Sequence, residues 1–93
     1  MPGKGLPRLR HWVSSPTYRS TIEVIVAARH EVGLSQKAVA DRLGKPPSFI
    51  AKVELGERRL DLVEFIAIGR ALGMDPAQLF GRIVAAAPDK LEF

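Results

Sequence analysis

The chain has 93 residues, the length of one domain, and its longest unbroken apolar runs, at 24–28 and 83–87, fall far short of the about 20 residues of a membrane-spanning helix. Cysteine is absent and histidine occurs twice, which excludes disulfides and thiolate zinc sites and leaves too few ligands for a convincing metal site. The formal net charge is +4, and residues 1–30 contain five basic residues and one acidic residue. This distribution fits binding to nucleic acid or to another anionic surface, with a generic soluble surface as the alternative.

The first 16 residues predict a loose, basic arm. They contain three prolines, two glycines and no acidic residue, and they show neither helical nor strand periodicity. Lys4, Arg8 and Arg10 are therefore candidates to bind phosphates or to enter a minor groove of DNA. Trp12 and Tyr18 are expected to cover the core, with stacking on bases as the alternative.

Two helices are predicted after the arm. Ser15 can cap the first helix, Pro16 suits its first position, and Gly33 suits the left-handed conformation at its end. The second helix has Ser35 as its cap and stops at Gly44. Apolar residues recur at helical spacing between these signals, so we expect one buried face on each helix.

Two further helices follow a short turn. Pro47 can open the third helix, which ends at Gly56. Asp61 followed by Glu64 resembles a capping box for a fourth, strongly apolar helix that Gly73 closes.

A fifth helix is predicted after the pair Asp75 and Pro76. One of its faces is apolar and is either the last side of the core or a dimer seam; we expect a mixture of both. The residues assigned to a dimer interface are Phe80, Ile83, Val84 and Ala87. No stretch alternates between apolar and polar residues as a strand would. The predicted fold class is therefore all-α, with five short helices.

The segment 34–55, LSQKAVADRLGKPPSFIAKVEL, resembles the helix-turn-helix of the Cro and phage-repressor class, often called XRE-like. The resemblance extends over about residues 18–80. It implies a lambda-repressor-like fold with a DNA-binding domain at 17–87, a helix-turn-helix at about 35–55 and a tail at 88–93. The matching positions include Gln36, Ala40, Ser48 and Glu54.

The resemblance implies which residues contact DNA. The start of the third helix enters the major groove in such proteins, so its outward residues are the expected base contacts: Pro47, Ser48, Phe49 and Lys52. Small polar residues often stand at the positions of Pro46 and Phe49, and the two adjacent prolines remove two backbone donors. Apolar contact of Phe49 with a thymine methyl is the expected substitute. The expected phosphate contacts are Gln36, Lys37, Lys45, Arg58 and Arg59.

Several of these residues have a structural alternative. Gln36 is either a phosphate contact or a solvated residue at the start of a helix. The cations Lys45, Lys52, Arg58 and Arg59 are either phosphate contacts or part of a solvated surface. A third role is possible for Arg59, because the family that this chain resembles often uses a residue at this position to fix the loop after the third helix.

A buried ion pair is predicted between Arg29 and Glu54. Arg29 falls on the apolar face of the first helix, and Glu54 lies between two apolar residues of the third. The family that this chain resembles often pairs these two positions.

The predicted function is a sequence-specific DNA-binding transcriptional regulator, acting in the cytoplasm on the bacterial nucleoid as a homodimer on a two-fold operator. The rival is an antitoxin-like or accessory module that uses the same fold to bind another protein. No motif indicates an enzyme, a cofactor, a metal, a membrane or a small-molecule ligand. The partner that we expect is double-stranded DNA.

Overall fold

The computed structural model describes residues 15–93. They form five helices, which we label α1 (Pro16–Glu31), α2 (Gln36–Leu43), α3 (Pro47–Leu55), α4 (Leu62–Ala71) and α5 (Pro76–Ala86). The prediction of an all-α chain of five short helices is confirmed. The arm residues Lys4, Arg8, Arg10 and Trp12 lie outside the described residues, whereas Ser15 and Pro16 belong to the start of α1. Within residues 15–93, no helix combines the length and apolarity that crossing a membrane requires.

The helices begin and end at the signals that the sequence carries. The side chains of Ser15 and Ser35 each accept a hydrogen bond from the backbone N–H three residues later. Asp61 and Glu64 form a reciprocal capping box at the start of α4. Gly44 and Gly56, at the ends of α2 and α3, have φ values of 68° and 80°. Only glycine adopts this left-handed conformation without strain, so the two turns on either side of α3 are fixed locally.

The core lies among the five helices. Helix α1 packs against α3 and α5, while α2 packs against α3 and α4. Side chains from every helix contribute, and the largest that are fully buried are Ile22, Val39, Val53 and Leu79. Arg42 of α2 donates to the carbonyl oxygen of Ala71, at 2.7 Å, and so satisfies an orphan acceptor near the end of α4.

Helix α5 divides its apolar residues between two faces. Leu79 and Ile83 are 1% and 8% exposed and belong to the core, whereas Phe80 and Val84 are 51% and 57% exposed. Residues four apart share a helix face, and the second pair lies about 100° around the helix from the first. Ile83, which is assigned to a dimer interface from the sequence, is therefore part of the core of the described chain. Ala87 is half-buried.

The tail at 88–93 returns to the start of α1. The backbone N–H of Glu92 donates to the hydroxyl oxygen of Thr17 at 3.0 Å. Leu91 and Phe93 remain exposed. The two ends of the described chain are therefore close to each other.

Candidate nucleic-acid interface

Helices α2 and α3 form a helix-turn-helix with residues 44–46 as its turn. Ala40 is fully buried where the two helices approach each other, and Ile50 and Val53 turn the inner face of α3 into the core. The opposite face presents Ser48 and Lys52, both exposed and four residues apart. Pro46 and Pro47 are exposed at the start of the helix as well. The outer face of α3 is therefore free to enter a groove of DNA.

Phe49 departs from the prediction that it lies fully outward. Its side chain is half-buried and packs against the core. The guanidinium carbon of Arg58 lies 4.7 Å from the ring centroid, and the Nζ atom of Lys45 lies 5.7 Å from it. Phe49 is adjacent to buried Ile50 and falls at the edge of the outward face, so its ring is covered by apolar contacts and cations.

Behind α3, a polar network joins three helices at Glu54. Arg29 of α1 donates to Glu54 Oε2 at 2.6 Å and to Oε1 at 2.9 Å. Gln36 of α2 donates its side-chain amide to the same Oε1 at 2.8 Å. Arg29 also donates to the carbonyl oxygen of Leu34. The structure therefore contains the ion pair that the sequence predicts, and it gives Gln36 a partner inside the protein that neither interpretation of the sequence included.

Arg19 makes a contact at the end of α3 that sequence reasoning missed. Its guanidinium donates to the backbone carbonyl oxygens of Glu54, at 3.1 Å, and Leu55, at 2.9 Å. These carbonyls belong to the last turn of α3, where no intrahelical donor remains and where a cation is favoured by the helix dipole. Arg19 thus ties the end of α3 to α1. Arg19 and Glu54 are 35 residues apart in the sequence, and no local sequence pattern predicts their contact.

The predicted phosphate-binding cations have different surroundings. Lys37 forms an exposed ion pair with Asp41 at 2.9 Å. Lys45 is exposed beside Phe49. The guanidinium carbon of Arg59 lies 4.8 Å from the ring centroid of Tyr18, which fits a role in fixing the loop after α3. Burial raises the pKa of Tyr18, whose hydroxyl accepts the backbone N–H of Leu60 at 3.1 Å in the same loop.

Arg58 is occupied by a carboxylate. Its two terminal nitrogens donate to the two oxygens of Glu64, at 2.6 and 2.9 Å. The hydrogen bond with Arg58 lowers the pKa of Glu64, and the same contact raises the pKa of Arg58. Both groups are therefore charged near neutral pH, and the positive charge of Arg58 is balanced within the protein.

The arrangement matches that of a known family. A family model described as helix-turn-helix matches residues 25–79, which is more than half of the chain. The chain belongs to the XRE-type helix-turn-helix family. Membership of this family implies binding to DNA. No curated protein matches this XRE-family chain.

Solved structures share the fold of this XRE-family protein. An XRE-family like protein from Pseudomonas syringae pv. tomato str. DC3000 is 40% identical, with 77% of this chain and 88% of that chain covered and a TM-score of 0.71. A mutant of the restriction-modification controller protein C.Esp1396I is 21% identical, with 77% and 96% covered and a TM-score of 0.72. The clp gene regulator ClgR from C. glutamicum is 13% identical, with 83% and 100% covered and a TM-score of 0.70. The last two likenesses show the fold alone.

Proposed function

We propose that this XRE-family protein is a sequence-specific DNA-binding transcriptional regulator. The observation that carries the proposal is the exposed face of α3, which presents Ser48 and Lys52. The opposite face packs on the core, and Arg29 and Arg19 hold the end of the helix at Glu54. Two proteins of the same fold are named as a controller protein and a gene regulator, which supports this class of function. Such a protein acts where the chromosome lies, in the cytoplasm.

In the proposed complex, the start of α3 enters the major groove. Ser48 and Lys52 reach base edges, and the exposed ring of Pro47 makes apolar contact with a base. The half-buried ring of Phe49 contributes by packing beneath this edge. The phosphate contacts are assigned to Lys37, Lys45, Arg59 and the remaining polar atoms of Gln36, and the arm adds Lys4, Arg8 and Arg10.

DNA binding is tested by titration of a random-sequence duplex at about 50 and about 200 mM salt, where contacts to several phosphates predict a steep loss of affinity. Selection from a randomised duplex library then measures sequence preference. Deletion of residues 1–10 is expected to weaken binding and to leave the melting temperature unchanged. Absence of binding to both kinds of duplex would refute the proposal.

Homodimerisation on a two-fold operator is the finer part of the proposal. Phe80 and Val84 of α5 are exposed, as are Leu62 and Ile66 of α4. Of these residues, Phe80, Leu62 and Ile66 line one groove. Arg70 and Asp75 carry opposite charges at the same groove. In a two-fold pair, the same surface meets itself in reverse, so each arginine can face the partner's acidic residue.

The same apolar face supports the rival function, an antitoxin-like or accessory protein-binding module. The two proposals differ in the oligomeric state and the DNA affinity that they predict for the purified protein without a partner. A regulator of the first kind is a dimer that binds duplex DNA without a partner. A module of the second kind is a monomer with negligible affinity for duplex DNA, and it leaves the apolar face for a different chain.

A further inference from the structure

The ring of Phe49 is the centre of a small charged cluster at the start of α3. Arg58 and Lys45 both place their cationic groups next to this ring, at 4.7 and 5.7 Å from its centroid. They come from the two connections that border α3, since Lys45 precedes the helix and Arg58 follows it. Cations near an aromatic face are attracted by its negative potential. The cluster thus ties the first turn of α3 to both of its flanking connections.

The two cations differ in how their charge is balanced. Arg58 gives both terminal nitrogens to Glu64, as described above, and one of them also reaches the carbonyl oxygen of Arg59 at 3.2 Å. Lys45 is exposed and makes no direct ion pair in the part of the chain that the structure describes, although its charge helps to lower the pKa of Glu64. A fork-shaped guanidinium on a carboxylate is fixed in direction as well as in place.

Glu64 connects this cluster to the beginning of α4. Its Oε1 atom accepts the backbone N–H of Asp61 at 3.0 Å, which is one half of the capping box, while the same carboxylate holds Arg58. The capping box makes the position of this carboxylate a consequence of how α4 starts. Arg58 in turn reaches from that carboxylate to the ring of Phe49 on α3.

We propose that Arg58 and Glu64 are positioning residues for the recognition helix, and that Lys45 is the cation of this cluster that contacts the DNA backbone. The inference rests on the proposed DNA-binding function and assigns positioning to Arg58 and Glu64 and phosphate contact to Lys45. A phosphate that captured Arg58 would have to displace a bidentate carboxylate and a ring contact. A charge already neutralised by a bidentate carboxylate also releases few counterions from DNA, whereas Lys45, which makes no direct ion pair in the described residues, can release more of them.

The inference predicts different responses of binding specificity and of salt dependence. Loss of a phosphate contact weakens binding to every sequence about equally and reduces the slope of log affinity against log salt by about 0.9. Loss of positioning changes how well α3 fits its own site, so it lowers the ratio between affinity for the selected site and affinity for random DNA. A change that only unfolds a fraction of the protein lowers both affinities together and leaves this ratio intact.

The experiment uses the full chain, a random-sequence duplex and the duplex that the wild-type protein selects from a randomised library. Arg58→Met keeps an apolar stem on the Phe49 ring but removes the charge. Glu64→Gln keeps a capping-box acceptor but removes the ion pair. Lys45→Met is the matched control at the other cation next to the ring. Circular dichroism checks that each variant is folded. If Arg58→Met does not fold, Arg58→Lys replaces it, because lysine keeps the positive charge but lacks the bidentate geometry of a guanidinium.

We expect Arg58→Met, Arg58→Lys and Glu64→Gln to lower the ratio of selected to random affinity by about tenfold, and the Arg58→Met, Glu64→Gln double variant to lower it no further. The salt slope of Arg58→Met should equal that of the wild type, while Lys45→Met should lose about 0.9 with an unchanged ratio. An unchanged ratio in the Arg58 variants would overturn the inference, as would a slope reduced by Arg58→Met. Failure of the wild-type protein to bind either duplex would instead refute the proposed function.

Discussion

The guanidinium of Arg29 on α1 binds both carboxylate oxygens of Glu54 on α3, and the two side chains are only 11% and 9% exposed. The Glu54 carboxylate receives a further hydrogen bond from Gln36. Such a pair is stable only as a unit, because the removal of one partner strands a charge in a poorly solvated place. We expect Glu54→Ala to lower the free energy of unfolding by about 3–5 kcal/mol, measured by urea denaturation.

The matched control for this prediction is the pair between Lys37 and Asp41. It has a similar separation of 2.9 Å, but its side chains are 71% and 58% exposed. Asp41→Ala should therefore change the free energy of unfolding by less than about 1 kcal/mol. Equal effects of Glu54→Ala and Asp41→Ala would show that burial does not govern the Arg29 pair.

Acid should weaken the fold partly through Glu64. The contact with Arg58 lowers the pKa of this carboxyl below its usual value of about 4.3. Its contribution to stability is therefore complete above that value and is lost as pH falls through the lower, folded-state pKa. Glu64→Gln should reduce the dependence of unfolding free energy on pH in this acidic range. The measurement is urea denaturation between about pH 6 and about pH 3.

Glu57→Gln is the control for the acid titration, since Glu57 is exposed one residue before Arg58. If both variants change the pH dependence equally, the ion pair with Arg58 is not the cause.

Local signals in the sequence predict the helices well, because each one is satisfied within four residues. The serine caps, the capping box of Asp61 and the left-handed glycines all act in this way, and all occur as predicted. The Arg29–Glu54 pair is predicted by a different route, through the resemblance to a family. Its physical logic, a cation on an apolar face, is visible in the sequence but does not identify the partner.

Contacts that depend on the angle between helices are not predicted from the sequence. The sequence indicates no partner for Arg19 and assigns Arg58 to a phosphate or to a solvated surface, yet each binds a protein group whose position only the packing sets. The apolar face of α5 has the same difficulty, since periodicity groups Phe80 with Ile83, whereas the packing buries Ile83 and exposes Phe80. A broad apolar stripe does not reveal which of its edges faces the core.

The exposed apolar residues of α5 and α4 lead to a prediction about oligomeric state. Val84 and Leu62 are 57% and 78% exposed. Replacement of both by lysine should place charges at the proposed dimer face and yield a folded monomer by sedimentation equilibrium. Ile83→Glu should instead unfold the protein, because it buries a carboxylate without a partner. Leu55→Lys, at another exposed leucine, is the control and should remain dimeric; a dimeric Val84→Lys, Leu62→Lys variant would place the interface elsewhere.

The most specific prediction about DNA recognition concerns Lys52. It is exposed one turn after Ser48, and its neighbour Val53 is buried, so the side chain lies on the outward face of α3. From this turn, an extended lysine can reach the O6 or N7 atom of a guanine in the major groove. We therefore expect Lys52 to read a base.

Lys52→Ala should cost about 1–3 kcal/mol of binding free energy on the selected site and relax the preference at one base position. A contact to phosphate alone would have another signature, since it would weaken all sequences about equally and lower the salt slope by about one. Selection from a randomised library with wild type and Lys52→Ala distinguishes the two, and Lys45→Met supplies the phosphate-type reference. Uniform weakening by Lys52→Ala would transfer the specificity to Ser48, Pro47 and the shape of the DNA, because no other exposed polar side chain lies on the first two turns of α3.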